Sequence, residues 1–341
     1  MKPEKPKSDI QSLIDEIKRL VSNSRQEIGR TVNRQLLHTY WQIGKIIVER
    51  ENSQNITPRK LVLDLSKELT KQLGKGFSRS NLFNMRLFYL RYPDVQTLSG
   101  HLSWSHVCEL LSIEDDDARA FYETEMISSK WSVRELKRQI NSSLFERLLL
   151  SKGSINKKDV IRLSKEGQII EKPEDIIKEP YVLEFLGIPE NKPMLEKDLE
   201  KRLIRYIEDF LLELGKGFMF VGSQQRITIA NKHHYVDMVF YNKILRAYIL
   251  IDLKMNKLLP AYVGQMNAYL NYFKTEINED IDNDPIGIIL CTAKDEIVAE
   301  YALGGLANQI FASKYVYYLP NKEELIDQVQ KALNEYDDES E

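Results

Sequence analysis

Apolar positions in the first 150 residues recur at helical spacing. Ile10, Leu13, Ile14, Ile17 and Val21 mark one stretch, and Val32, Leu36, Leu37, Tyr40, Ile43 and Ile47 a second. No proline stands between Pro6 and Pro58, and the pattern predicts a pair of long antiparallel helices. Leu61, Leu65 and Leu69 place another helix at about Pro58 to Leu73, stopped by Gly74-Lys75-Gly76. Ser78 is positioned to cap the next, Arg79 to about Tyr92, which Pro93 ends. Helix, short glycine turn and helix is the outline of a helix-turn-helix. Further helices are expected around Trp104 to Leu111, Asp115 to Ser128 and Ser132 to Leu150, with Trp41, Trp104 and Trp131 as core residues.

Periodicity fades over residues 151–178, which read as a linker with one short ordered segment between a helical domain (1–150) and a second domain (179–334). From Met194 onward Leu195, Leu199, Leu203, Ile207 and Leu211 line one helix. Strand-like runs follow at Phe218 to Ile229, Tyr235 to Tyr241 and Ala247 to Leu253. A helix from about Ala261 to Phe273, a buried strand Ile286 to Cys291, a strand Tyr315 to Leu319 and a helix Glu323 to Leu333 complete an α/β pattern. Gly304-Gly305 reads as a turn and 335–341 as a frayed acidic tail. The expected fold class is therefore two-domain: all-α with a helix-turn-helix-like unit, then α/β.

Composition narrows the function classes. The 341 residues suit two domains, and 43% hydrophobic with 29% charged residues excludes collagen-like, mucin-like or wholly disordered chains. No apolar run approaches the roughly 18 residues of a membrane span, so a cytoplasmic protein without a membrane partner is expected. Cys108 and Cys291 are the whole cysteine complement, too few for a disulfide framework or a cysteine-ligated zinc. The formal net charge of −3 hides an asymmetry: residues 1–155 carry 25 basic against 19 acidic side chains, the remainder 23 against 32. A polyanion should meet the first half. Within it, Lys67, Lys71, Lys75, Arg79, Arg86 and Arg91 face Glu68 alone. Lys75, Arg79, Asn81, Asn84 and Arg86 are the candidate nucleic-acid contacts; the alternative is a cationic face packed on another subunit.

Asp252-Leu253-Lys254 ends the apolar strand that begins at Tyr248, and the strand period of two puts Asp252 and Lys254 on one face. Asp237 lies 15 positions before Asp252 on the preceding strand; across a hairpin with an even loop, that odd separation brings it to the same face. Adjacent carboxylates raise each other's pKa unless a cation lies between them. Mg²⁺ suits such a pair, with Mn²⁺ as a substitute, because it takes one or two carboxylates and keeps waters and phosphate oxygens. Lys254 could then orient the attacking water, which is the chemistry of phosphodiester hydrolysis. The bland alternative for Asp252 and Lys254 is an edge-strand ion pair. His233-His234 are adjacent on a strand, point to opposite faces and do not suit one ion.

At these residues the chain resembles the PD-(D/E)XK nuclease superfamily, with Val236-Asp237 and Asp252-Leu253-Lys254 in the motif positions. More closely it resembles bacterial YhcG-type proteins, through Tyr40-Trp41-Gln42-Ile43-Gly44, Gly74-Lys75-Gly76-Phe77-Ser78, Leu102-Ser103-Trp104-Ser105-His106 and Trp131-Ser132-Val133-Arg134-Glu135-Leu136 in the first half. Phe210 to Phe218 and Gly264-Gln265-Met266 extend the match through the second. The resemblance implies a restriction-endonuclease-like αβββαβ core, with Asp237 and Asp252 as metal ligands and Lys254 as the catalytic lysine. It further implies that Glu200 is the acidic, metal-facing residue of the first core helix and Gln265 the polar residue of the next helix. Without it, Glu200 could simply pair with Lys197 at i, i+3. Ser223 stands where such proteins often carry Arg, and Asn256 where a Gly is common, which touches a substrate contact and a loop shape. The expected function is a Mg²⁺-dependent endonuclease acting on nucleic acid, DNA before RNA, in restriction or bacterial defence. The alternative is a DNA-binding or defence-complex accessory protein with an inactive nuclease core. A second copy of the chain or a defence-system protein is the protein partner such a role implies.

Overall fold

A computed structural model describes residues 7–95, 102–152, 155–189, 195–304 and 309–339. Met194, Gly305 and the last two residues of the expected tail lie outside the described residues. The chain forms two compact units, Met1–Arg119 with Met126–Leu136, and Ala120–Glu125 with Lys137–Glu341.

The first unit contains α1 (Lys7–Gln54), α2 (Pro58–Leu73), α3 (Arg79–Arg91) and α4 (Trp104–Leu110). The expected pair of helices at the start is one helix of 48 residues. The polar stretch Ser22-Asn23-Ser24-Arg25-Gln26-Glu27 interrupts the apolar pattern but holds neither Gly nor Pro to end a helix. Gly29 alone costs a helix about 1 kcal/mol without ending it. Toward its C-terminus α1 packs Ile47 against Val62, Leu82 and Met85, flanked by Tyr40, Ile43, Leu65 and Trp104. Gly44 makes this approach possible, since a Cβ there would overlap the Met85 carbonyl. Gly74, at φ +96°, ends α2 in a backbone conformation open to glycine. One 3₁₀ turn, Lys75–Phe77, leads to Ser78, whose Oγ accepts from the Asn81 amide at 3.3 Å and caps α3 as expected.

α5 (Asp116–Ser129) and α6 (Val133–Asn141) run across the division. The second unit continues with α7 (Leu144–Leu150), α8 (Lys157–Glu166), β1 (Tyr181–Val182), α9 (Glu196–Arg205), α10 (Ile207–Leu214), β2 (Phe218–Ile229), β3 (Lys232–Asn242) and β4 (Ala247–Lys257). It ends with α11 (Pro260–Tyr272), β5 (Ile286–Ala293), α12 (Glu296–Leu303), β6 (Gln309–Val316) and α13 (Lys322–Glu339). Among the described residues the strands form a six-stranded sheet in the order β1-β6-β5-β4-β3-β2. β2, β3 and β4 form an antiparallel meander; β4, β5 and β6 run parallel, reached through helical crossovers. Alternation along β4 splits its burial: Ile249, Ile251 and Leu253 join one core with Leu199, Leu203 and Phe210, while Leu250 joins the other with Val263, Met266 and Leu270 of α11. Among the described residues no helix is long and apolar enough to cross a membrane.

Several boundaries differ from expectation. Residues 151–178 are not a bare linker: they carry α8 and bury Ile155, Leu163, Ile170, Ile176 and Ile177, a spacing with no single period to read. The helix expected over Ser132 to Leu150 is α6 and α7, broken where Ser143 takes φ +52°. That expected from Met194 is α9 and α10, meeting at Tyr206. β6 precedes the Tyr315 to Leu319 run because Gln309, Ser313 and Lys314 interrupt its apolar pattern. Two-residue β1 is too short to announce itself. At the far end α13 extends through Glu339, into the expected tail.

Glu213 of α10 is fully buried and gathers cations. It accepts from Arg147 Nη1 at 2.6 Å, Arg138 Nη1 at 3.2 Å and the Val182 amide at 2.9 Å, while Lys178 donates to its carbonyl. Burial alone would raise the carboxyl; Arg147, Lys178 and Arg138 override it and hold it at about 2. A folded pKa below the ordinary 4.5 contributes stability that is complete above pH 4.5 and is lost as pH falls toward 2. Denaturant titrations of the full chain between those limits should show up to about 3 kcal/mol lost through this group. A flat profile there would exclude the network as a source of acid sensitivity.

Candidate active site

β3 and β4 pair down to Met238 and Ile251, and the same register sets Asp237 opposite Asp252 one step further on. There the side chain takes over from the ladder: Asp237 Oδ2 accepts from the Leu253 amide at 2.9 Å, fixing the carboxylate at the mouth of the hairpin. Asp252 is 2% exposed. Lys254 Nζ pairs with its Oδ2 at 2.8 Å. Burial first, and then repulsion from Asp237, push the Asp252 carboxyl up to about 7 in spite of Lys254. Burial would lower the Lys254 ammonium; Asp252 outweighs it and the net shift is upward. Its Nζ also lies 5.1 Å from the centroid of the Tyr262 ring on α11.

Glu200 of α9 joins from the side. Gln224 Nε2 donates to Glu200 Oε2 at 2.8 Å and to Asp237 Oδ1 at 3.2 Å, tying the two acids through one amide. Burial, then Asp237, raise the Glu200 carboxyl. These groups line an open cleft of about 560 Å³ with Lys197, Lys201 and Ser223. Gln265 donates to Tyr269 Oη at 2.5 Å rather than to the carboxylates. Tyr269 itself senses Asp252 and Lys254 electrostatically, so Gln265 sits one residue removed from the acids.

Among the described residues no three His, Cys, Asp or Glu side chains stand together as a metal cluster. Asp237 and Asp252 are the pair that suits a hard cation, which needs only one or two carboxylates, and their mutual repulsion, which raises the Asp252 carboxyl, is what such a cation would relieve. Glu200 shares the Gln224 amide with Asp237. Gln224 was assigned no role by sequence reasoning. It takes φ +49° and stands between the paired Ser223–Met238 and Gln225–Val236, opposite Asp237; its signal was its register. His233 contacts Thr228 and His234 stacks near Tyr269, separate partners as their alternation requires. Asn256 lies where the β4–β5 register shifts.

In the first unit, Lys75 and Arg79 are exposed at the turn into α3, and the Arg79 guanidinium lies 5.9 Å from the Phe83 ring centroid. The other candidates are turned to internal use. Asn81 donates to the Gly76 carbonyl at 2.6 Å and accepts from Trp104 Nε1 at 2.7 Å. Asn84 donates to Cys108 Sγ at 3.4 Å. Arg86 Nε meets both oxygens of the buried Glu51 at 2.8 Å. Sequence reasoning took Arg86 for a surface cation because its partner lies 35 residues away.

Comparison with known proteins matches residues 174–333 to the family described as "YhcG PDDEXK nuclease domain" and residues 16–147 to "DUF1016 N-terminal domain". A protein of Escherichia coli (strain K12) named "Putative nuclease YhcG" is 37% identical over 354 aligned positions, covering 94% of this chain and 93% of that protein. A solved structure titled "crystal structure of a repair endonuclease from Pyrococcus abyssi" matches 37% of this chain and 49% of its own at 19% identity, with a TM-score of 0.26. With a DUF1016 N-terminal domain, a restriction-endonuclease-like α/β domain behind it and a relative aligned over nearly its whole length, the chain belongs to the YhcG family of PDDEXK nucleases.

Proposed function

We propose that the chain is a divalent-metal-dependent endonuclease that cuts DNA, as in restriction or defence, using Asp237, Asp252 and Lys254. One observation carries the reading: two carboxylates opposite each other at a hairpin mouth, one of them buried and paired with a lysine 2.8 Å away. PDDEXK nucleases generally use divalent metal ions, and Mg²⁺ is the ion this donor set suits. Asp237 and Asp252 would hold it, and when bound it supplies positive charge to phosphate oxygens and acidifies a water. The Lys254 ammonium serves as a donor, to the attacking water and to the phosphate oxygens that gain charge in the transition state. The Tyr262 ring beneath Nζ restricts where that donor points. Gln224 keeps Asp237 and Glu200 in fixed relation.

Supercoiled plasmid, linear duplex, single-stranded DNA and RNA, each incubated with Mg²⁺ or with EDTA, test the reading. Cleavage of DNA with Mg²⁺ that EDTA abolishes is expected. If neither Mg²⁺ nor Mn²⁺ supports cleavage of any substrate, the accessory-protein reading replaces it.

Lys75 and Arg79 are proposed as phosphate contacts of the helix-turn-helix-like segment. Replacing both by Ala should weaken DNA binding and reduce the log–log salt slope by about 0.9 per lost contact. Arg86→Ala should act differently: it strands the buried Glu51 carboxylate, so the melting temperature drops while the salt slope of the folded protein stays put. Equal slopes for wild type and the Lys75/Arg79 variant would remove this segment from the interface.

A further inference from the structure

Between residues 10 and 36, α1 carries a stripe that none of the described residues of its unit covers. Ile10, Leu13, Ile14, Ile17, Leu20, Val21, Ile28, Val32 and Leu36 are 36 to 65% exposed, although they repeat at the helical period along about 40 Å of helix. The face is not the one that packs on α2 and α3. At about 100° per residue the stripe centres nearly half a turn away from Leu37, Ile47 and Val48, which are buried. These nine side chains expose on the order of 800 Å² of apolar surface, the share each partner contributes to a standard interface. That exceeds the roughly 300–600 Å² of the largest patch on a typical monomer.

The polar edges of the stripe select what covers it. On the same helical projection, Glu16 and Glu27 lie along one edge, Lys18 and Arg25 along the other. We infer that residues 10–36 of α1 pair in parallel with the same segment of a second copy of the chain. A twofold axis along the helices sets the acidic edge of one copy against the basic edge of the other, with Lys18 beside the second copy's Glu16 and Arg25 beside its Glu27, each offset by about 3 Å along the axis. An antiparallel pair would set each edge against itself, Lys18 and Arg25 facing like charges. Arg34, on the acidic edge, meets Val32 and Leu36 and opposes no charge. The inference rests on α1 and is independent of the nuclease reading.

Sedimentation and light scattering of the full chain at micromolar concentration test it. Wild type should have twice the 39.9 kDa mass of one chain, and Ile17→Glu with Ile28→Glu should halve that mass while the far-UV circular dichroism stays helical. Arg19→Glu, on the opposite face, should remain dimeric. Lys18→Glu should weaken the dimer at least tenfold, and adding Glu16→Lys should restore it. Ile10→Cys should form an intermolecular disulfide on oxidation, which an antiparallel pair would place tens of ångströms apart. A monomeric wild type would hand the stripe to a different protein and overturn the inference. So would a dimer indifferent to the stripe glutamates, or an Ile10→Cys dimer that does not cross-link.

Discussion

Asp252→Asn and Lys254→Ala are each expected to lower metal-dependent phosphodiester cleavage by about a thousandfold or more, and the two losses should be separable. Asn keeps the shape of Asp252 and removes the charge, so the ion itself binds more weakly. Lys254→Ala leaves both carboxylates and removes the ammonium that stands 2.8 Å from Asp252; it deletes the transition-state donor while the metal stays bound. Calorimetric titration with Mg²⁺ or Mn²⁺ should show lost affinity in the first variant and affinity at or above wild type in the second, because the competing cation has gone. If both variants cut as wild type does, the chemistry lies elsewhere in the chain. If Lys254→Ala loses metal affinity as Asp252→Asn does, the lysine is organising the pair rather than acting on substrate.

The second large effect belongs to the buried network and involves no substrate. Glu213→Gln is expected to cost about 3 to 5 kcal/mol. Arg147 is 0% exposed and makes its 2.6 Å bond to Glu213 Oε1, so neutralising the acid leaves an uncompensated cation in the core. Urea denaturation followed by far-UV circular dichroism measures the change. Replacing Arg147 and Glu213 together, by Met and Leu, should recover much of the loss, since a buried pair contributes little over an apolar pair of similar volume. A Glu213→Gln midpoint equal to wild type would mean that water reaches Arg147.

The pairing of two carboxylates was legible in sequence because strand alternation is a strict rule: with Asp237 and Asp252 on neighbouring strands, their separation sets their faces, and β3 and β4 carry them in that register. The helical first half was legible for the same reason, periodicity. What escaped depended on information that spacing does not hold. Gln224 reaches two acids from a left-handed backbone position, which residue type alone does not announce. The pairing of Arg86 with Glu51 and of Arg147 with Glu213 joins residues far apart in the chain, so their charges read as surface. Two helices were expected where α1 is one, because a break in an apolar stripe and a break in a helix look alike in one dimension.

The hydrogen bond from the Leu253 amide to Asp237 Oδ2 places this acid under two selections at once. In the proposed mechanism Asp252 and Lys254 serve the reaction at a cost to the fold, because burial penalises both charges. Asp237 closes the last rung of the hairpin. In a descendant that no longer cuts, drift is therefore uneven: the two buried charges are shed first, relieving the core, whereas Asp237 is constrained to residues that still offer an acceptor, Asn foremost. A surviving acceptor at 237 is then no sign of a working nuclease. The informative fossil is the fate of its two neighbours, whose retention has no structural excuse.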